Sequence, residues 1–435
     1  MSGGAEGALI AHARDLPGLA LVLDDERFGE RLKGLLPDLD VRSARAVYLR
    51  YRPPTSCLVA YRVRSGAAEL DVHAVAWARR STEKLAKARA RAERATRRRL
   101  CVLEDVAVVV AVFPEDRRLR VLARLARPRA GRELLASLLG RDPGRDATLL
   151  RLRYKPERRW VGRLAAGGGP TAVVKAYAAE GFAAARRGSR PWVDRPPLRV
   201  PKLLGELPDR GLVALEWIAG RALGDALLDG QAEESEVALA GEALACVHSQ
   251  SPSGLLARTP RRHAEHVRIV AAALGFVQPA LASRAERLGR EISQRLAARP
   301  GGTTPVHGDF NADQVLLADG RAALIDFDEA ALAEPAADLG SFAADLERRA
   351  CADRLPPGRA EALGEALLEG YARRAPPPAR GDLALHTAAA LFSLAPHFFR
   401  ERDPGWPERT EAVLDRVESL LSGRTAAPAA AQGRA

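Results

Sequence analysis

The sequence predicts an α+β chain, β-rich in its first half and helical in its second, and three observations carry that expectation. Two segments 103 residues apart resemble each other: Leu49-Arg50-Tyr51-Arg52-Pro53 leads into CLVAY at 57–61, and Leu152-Arg153-Tyr154-Lys155-Pro156 leads into Trp160-Val161-Gly162. From about residue 222 onward, apolar residues recur at helical spacing. Between 301 and 330 that pattern breaks into a polar loop and two short apolar runs.

Each repeated segment continues with a second β-like run, ELDVHAVAW at 69–77 and TAVVKAY at 171–177, and then with a helical stretch. Each next reaches a proline and acidic turn, PEDRR at 114–118 and PDRG at 208–211. An apolar run expected as a strand follows, LRVLARLA at 119–126 and LVALEWIAG at 212–220. The pattern predicts a duplicated β-rich lobe of about a hundred residues. The basic stretch at 81–99 reads as a helix with a solvated, charged face. Gly167-Gly168-Gly169 precedes a strand directly and lacks Walker-loop spacing, so it reads as a hairpin turn. Helices are expected over 233–250, 263–275, 280–298, 336–350, 358–374 and 381–399. QVLL and RAALIDF read as strands joined by an Asp319-Gly320 turn. The Ala/Pro/Gly-rich stretch 424–435 is expected to be disordered.

At 435 residues the chain exceeds what one hydrophobic core organises, which predicts two or three domains. Hydrophobic residues at 47% and charged residues at 28% describe a globular chain. No run approaches the roughly 18 apolar residues of a membrane span. The first residues show neither a basic segment nor an apolar stretch, so a cytoplasmic location and no membrane partner are expected. Cys57, Cys101, Cys246 and Cys351 lie far apart without CxxC spacing, as reduced thiols do. A net charge of +12 raises the question of a nucleic-acid partner. With aromatics at only 5%, the sequence offers no evident platform for stacking bases, which argues against one.

The chemistry concentrates in Val306-His307-Gly308-Asp309-Phe310-Asn311-Ala312-Asp313-Gln314, a polar loop entering a strand, and in Ile325-Asp326-Phe327-Asp328, which closes the next strand. Carboxylates at both ends of a small hairpin suit phosphoryl transfer. One orients the attacking hydroxyl, and others hold the Mg²⁺ that neutralises a triphosphate. Asp309 is the candidate base, and Gln314 and Asp326 are candidate metal ligands. Asp328 has two readings, a ligand of a second ion or a turn cap. His307 reads as a structural hydrogen bonder rather than a catalytic acid. Lys175 is a further signal: in a chain that uses arginine almost everywhere, it is the lysine placed inside an apolar strand, AVVKAY. Burying an ammonium is costly unless an anion meets it; the competing reading is an edge-strand lysine that reaches solvent.

These motifs resemble the aminoglycoside phosphotransferase and choline kinase-like superfamily: HGD, an amide five residues after Asp309, and IDFD a dozen residues beyond. The resemblance covers about 150–420. It implies a protein-kinase-like bilobal fold, with a β-rich lobe, a hinge and a helical lobe. Gln314 stands where such enzymes usually carry Asn, which keeps an amide oxygen on one more methylene. Bacterial maltokinases are similar in this and in carrying an N-terminal cap. Ala333-Glu334-Pro335-Ala336-Ala337-Asp338-Leu339 resembles the family's small-Asp-Pro-x-x-Asp-Leu stretch, with Glu334 for Asp and Asp338 implied as the anchor of the catalytic loop.

On that resemblance Lys175 binds the ATP α/β-phosphates, Glu180 on the next helix pairs with it, and backbone at Glu216 and Ile218 in a hinge meets adenine. The implied organisation is a cap at 1–149, an ATP-binding lobe and hinge at 150–222, a helical lobe at 223–423 and a tail at 424–435. In the first copy Val72 to Val75, including His73, occupy the place of Lys175, so the cap is expected not to bind ATP that way and to pack on the ATP lobe. The implied reaction moves the γ-phosphoryl group of ATP, with Mg²⁺, to a hydroxyl of a small polar molecule: an aminoglycoside, sugar or amino sugar. Acidic Glu233, Glu234 and Glu236 or aromatic Trp406, Phe398 and Phe399 are the acceptor-site candidates. The alternative is an inactive kinase-like protein that binds nucleotide, protein or nucleic acid.

Overall fold

The computed structural model describes residues 3–94, 99–189, 192–356 and 358–423. The expected disorder of 424–435 lies outside these residues, as do positions 95–98 of the basic helix. The chain begins with α1 (Gly3–His12), α2 (Leu19–Leu23) and α3 (Asp25–Leu35), then β1 (Val41–Arg52), β2 (Ser56–Ser65) and β3 (Ala68–Trp77). After α4 (Thr82–Arg94) come β4 (Leu100–Leu103), β5 (Val108–Val112), α5 (Leu122–Leu125) and α6 (Pro128–Leu139). A second β region holds β6 (Thr148–Lys155), β7 (Arg159–Ala166) and β8 (Gly169–Tyr177). It continues through α7 (Ala179–Gly188), β9 (Leu198–Arg199), β10 (Leu203–Leu207) and β11 (Leu212–Glu216). The helical region runs from β12 (Arg221–Ala222) through α8 (Leu223–Leu228), α9 (Glu234–His248), α10 (Pro260–Val277) and α11 (Ala282–Ala297). Short strands β13 (Thr304–Val306), β14 (Val315–Ala318), β15 (Arg321–Leu324) and β16 (Ala331–Ala333) interrupt it before α12 (Ala336–Cys351) and α13 (Arg359–Ala372). It ends with α14 (Arg380–Leu394), α15 (His397–Arg400) and α16 (Trp406–Ser422). Among the described residues no helix is long and apolar enough to cross a membrane.

The two large sheets have the same strand order, β1-β2-β3-β5-β4 and β6-β7-β8-β11-β10. Their registers correspond residue by residue. Trp77 faces Ser56 and Ala76 faces Val108 in the first sheet, while Tyr177 faces Arg159 and Ala176 faces Leu212 in the second. Val75 therefore occupies the place of Lys175, within the segment that the sequence singled out.

One expected strand is not a strand. The run at 119–126 forms a turn and α5, because Leu119 and Leu122, three apart, bury on one side. The strand that corresponds to β11 is β5, upstream of the PEDRR turn.

Leu119 and Leu122 join Leu134, Leu135 and Leu138 of α6 in one core with Trp160, Val174 and Ala214 of the second sheet. Helix α6 is suited to covering that sheet, since Pro128 opens it, Gly140 closes it in the left-handed region, and its leucines share a face. Residues 119–139 thus complete the core of the second sheet from upstream of residue 150.

The rest of the N-terminal region packs differently from the expectation. Leu9, Phe28, Val59 and Tyr61 share their core with Val267, Leu288, Phe392 and Trp406, so the apolar face of the first sheet rests on the helical lobe. Its contact with the second sheet mixes ion pairs with one aromatic: Arg50 and Arg117 hold Glu157, Arg151 meets Asp71 at 3.0 Å, and Tyr154 packs edge-on against His73 and Phe113. Phe398, Phe399 and Trp406 are fully committed to the shared core, which removes them as platforms for a sugar.

Removing 1–149 strips apolar cover from both cores, at about 25 cal/mol for each Å² re-exposed. A 150–435 fragment is expected to aggregate on expression or to lose its cooperative thermal transition; a soluble fragment that unfolds cooperatively would contradict this packing.

Candidate active site

Strand β8 alternates its side chains between two environments. Ala172, Val174 and Ala176 enter the core beneath the sheet, while Lys175 and Tyr177 point to the other face. Gly167 and Gly168, both with positive φ, form the turn that leads from β7 into it. This β7–β8 hairpin brings Arg159 opposite Tyr177, so three polar groups share one end of the sheet.

Facing them is the β14–β15 hairpin, closed by Asp319 (φ 52°) and Gly320 (φ 67°). Asp326 follows β15 in the left-handed region (φ 66°), a conformation that costs a non-glycine residue about 1 kcal/mol or more. Helix α7 lies against this turn: a Cβ at Gly188 would stand 1.8 Å from the Phe327 carbonyl oxygen.

The two sides meet in a buried cluster of four charges and a phenol. Lys175 Nζ donates to Asp326 Oδ1 at 2.6 Å and to Asp328 Oδ1 at 3.1 Å. Arg159 Nη1 reaches both Asp326 oxygens at 3.1 Å and Asp328 Oδ2 at 2.7 Å. The Tyr177 hydroxyl donates to Asp328 Oδ2 at 2.8 Å. Burial opposes ionisation of Asp326, but Lys175 and then Arg159 hold its carboxyl well below the usual range. Burial likewise works against the Lys175 ammonium, and Asp328 and Asp326 overcome it, raising its pKa.

Asp309 sits in the opposite kind of environment. Burial, with Asp326 and Glu329 adding to it, lifts its carboxyl to about 6 against the pull of His307 and Lys155. Lys155, at the end of β6, is itself brought down to about 8 by burial and by Arg153, Arg159 and Arg158. The loop that carries Asp309 is held from behind by Asp338, which accepts from the His307 amide at 2.6 Å, the Gly308 amide at 2.8 Å and His248 Nε2 at 3.1 Å. His307 Nε2 lies 2.8 Å from the Ile325 carbonyl oxygen and ties the loop to β15, a structural place. Gly308 has φ 86°, and a Cβ there would strike the Glu329 carbonyl oxygen at 2.1 Å.

Lys175, Asp326 and Asp328 thus converge, and Asp328 is an ion-pair partner rather than a turn cap. Gln314 is buried at the open end of the same hairpin, where its backbone carbonyl accepts from the Ile325 amide at 3.0 Å, one residue before Asp326. Glu180 does not join them. It opens α7, is largely exposed and pairs with Arg118, so the Lys175 partner expected there is supplied by Asp326 and Asp328 instead. The Glu216 amide donates to the Lys202 carbonyl at 2.8 Å and its carboxylate holds Arg199, while Ile218 is buried just beyond β11. Glu233 and Glu236 form the capping box of α9, and Glu234 pairs with Arg359, which accounts for these acids without a ligand.

Residues 137–381, more than half of the chain, match the phosphotransferase enzyme family (APH). The chain belongs to this family. No curated protein matches it. Among solved structures it is similar to a choline/ethanolamine kinase family protein from Mesorhizobium loti, at 17% identity over 67% of this chain and 93% of that one, with a TM-score of 0.47. A thermostable mutant of aminoglycoside phosphotransferase APH(4)-Ia, in complex with ADP and hygromycin B, shares 17% identity over 68% and 99% of the two chains, with a TM-score of 0.45. Aminoglycoside phosphotransferase APH(3'')-Id from Streptomyces rimosus shares 18% identity over 60% and 97%, with a TM-score of 0.42.

The phosphotransferase fold is protein-kinase-like and bilobal, with Lys175 in the sheet lobe and the carboxylate hairpin in the helical lobe. Its sequence did not single out Arg159 or Tyr177. Arg159 is one arginine among many, and the signal that would have found it is the β7–β8 pairing, which sets it across from the residue two beyond Lys175.

Asp338 supports two amides of the catalytic-type loop through separate oxygens, so Asp338→Asn, with one neutral oxygen, leaves one amide without an acceptor and the other without an anionic one. A loss of about 1–3 kcal/mol in denaturant unfolding is expected. A change within experimental error would show that the loop holds itself.

Proposed function

We propose that this phosphotransferase uses ATP and Mg²⁺ to move the γ-phosphoryl group to a hydroxyl of a small polar molecule. The observation that carries this reading is the meeting of Lys175 and Arg159 from the sheet with Asp326 and Asp328 from the hairpin, with Asp309 beside them on the anchored loop.

Each residue has a role in that reaction. Lys175 and Arg159 are the cations available to the triphosphate. Asp326, Asp328 and the Gln314 amide offer the hard oxygen donors that Mg²⁺ takes. Mg²⁺ does not need a full protein cage, because it completes its shell with phosphate oxygens and water. Bound there, Mg²⁺ supplies neutralisation of the phosphate charge. Asp309 accepts the proton of the acceptor hydroxyl and orients its oxygen toward the γ-phosphorus. Backbone at Glu216 and Ile218 lines the adenine side.

The acceptor side favours neutral or acidic compounds over a polycation. Lys155 lies near Asp309, and Arg258 Nη1 donates to the Gly308 carbonyl at 3.1 Å. Burial and then Arg153, Arg159 and Arg158 depress Lys155, and Arg158 also opposes Arg400, so basic side chains outnumber Asp326 and Glu329, the acids that act on Asp309. Sugars and sugar acids are therefore the acceptor class proposed, ahead of aminoglycosides.

Asp309→Ala is expected to lower kcat about 10²-fold or more while leaving Mg·ATP affinity within twofold, since a proton acceptor acts on the hydroxyl. Loss of nucleotide binding in that variant would reassign the residue. In the wild type, kcat/KM for ATP, which reports the free enzyme, should rise with pH through a limb near 6 as Asp309 deprotonates, and level off above it. A profile flat from pH 5 to 8 would remove Asp309 as the base.

A further inference from the structure

A second cleft, of about 210 Å³, opens on the far face of the first sheet beneath α4. Its floor is one side of β3, where His73, Val75 and Trp77 alternate with the core-facing Val72, Ala74 and Ala76. Helix α4 crosses above without burying any residue, and only Leu85 rests on the apolar floor. The helix turns Lys84, Lys87 and Arg91 to one side, at the spacing of a single helical face. Around the cleft, lysine and arginine outnumber carboxylates by five to two.

The register shows why this face does not repeat the site of the second sheet. Val75, Trp77 and Ser56 stand where Lys175, Tyr177 and Arg159 do, so each group that grips the paired carboxylates is replaced. An aromatic surface with cations on it takes their place. Lys84 Nζ lies 4.2 Å and the Arg117 guanidinium 5.3 Å from the Trp77 ring centroid.

Two features point to a ligand. His73 is 3% exposed, lines the cleft, and has a buried Nδ1 with no hydrogen-bond partner. Leaving such an atom unpaired costs about 1–3 kcal/mol, and of the buried unpaired side-chain atoms among the described residues this one borders the cleft. Lys84 and Arg120 have no carboxylate within ion-pair distance among the described residues, whereas Arg91 faces Glu115 and Arg117 holds Glu157.

We propose that this cleft binds a small planar organic anion, its ring on the apolar floor beside Trp77, its anionic group on Lys84 and Arg120, and a polar ring atom or substituent on His73. Neither half of that chemistry suffices alone: the floor selects a flat apolar body, and the cations select a charge.

Naphthalene-1-sulfonate is the probe, titrated by calorimetry into the full-length protein without nucleotide. One saturable site is expected, at least tenfold tighter than for neutral 1-naphthol or inorganic sulfate. Lys84→Glu and Ala88→Trp, both on a helix that buries nothing, are each expected to weaken it at least tenfold. The proposal falls if no saturable binding is seen at millimolar probe, if both variants bind like the wild type, or if sulfate alone matches the probe, which would mark a general basic surface.

Discussion

The structure depends on a buried, self-neutralised set of charges that joins its two lobes. Lys175 and Arg159 belong to the sheet, Asp326 and Asp328 to the hairpin, and each cation touches both anions. Removing one member of such a set leaves an uncompensated buried charge and costs about 3–5 kcal/mol. That cost constrains everything around it: β7 and β8 must keep their register, Asp326 must hold a left-handed backbone, and α7 must approach closely enough to require Gly188. In the proposed reaction the same set is a ready template. Its cations match phosphate and its carboxylates match a divalent ion, so Mg·ATP would find partners for both of its charges among side chains already held in place.

The carboxylates near the hairpin are pushed in opposite directions, and this separates their roles. Asp326 has two cations against it and stays ionised under any ordinary condition. Asp309 is raised chiefly by burial; His307 and, less strongly, Lys155 draw it back, while Asp326 and Glu329 add to the rise. A carboxylate held permanently charged suits a metal, whereas one raised toward neutrality suits proton transfer. Asp338 adds a third case, a buried acid whose oxygens are consumed by two amides and a histidine, which makes it scaffold.

What the sequence revealed and what it hid have a common cause in composition. Lys175 stood out because lysine is scarce in this chain, and the glycine, aspartate and amide of the loop stood out because their spacing is peculiar. Arg159 makes the same electrostatic contacts as Lys175 but was hidden by the abundance of arginine. Glu180 was misplaced because its role was carried over from the resemblance; five residues beyond Lys175, the first turn of α7 points the carboxylate to solvent and Arg118. The leucines of 119–126 were read as a strand because an apolar run has no visible period over eight residues, whereas α5 and the sheet above it settle the matter by packing. Phe398, Phe399 and Trp406 show the limit of residue type alone: aromatics that suit a sugar also suit a core, and the first sheet covers them.

The N-terminal region is built into the catalytic lobes rather than attached to them, and Glu157 is where this is most evident. It is buried at the β6–β7 turn with a positive φ, takes Arg50 and Arg117 from the first region on its carboxylate, and gives its amide to Asp116 at 2.7 Å. Two residues later the same turn supplies Arg159 to Asp326 and Asp328, and two residues earlier it supplies Lys155 near Asp309. A turn so short transmits any displacement of Glu157 to both, because the intervening backbone has no slack to absorb it. The seam with the first region therefore bears on the positions of Arg159 and of Lys155, the charge beside the proposed base. Ion pairs on Glu157 and Asp71 suit that requirement, because they add direction to a contact that Tyr154 also makes through His73 and Phe113.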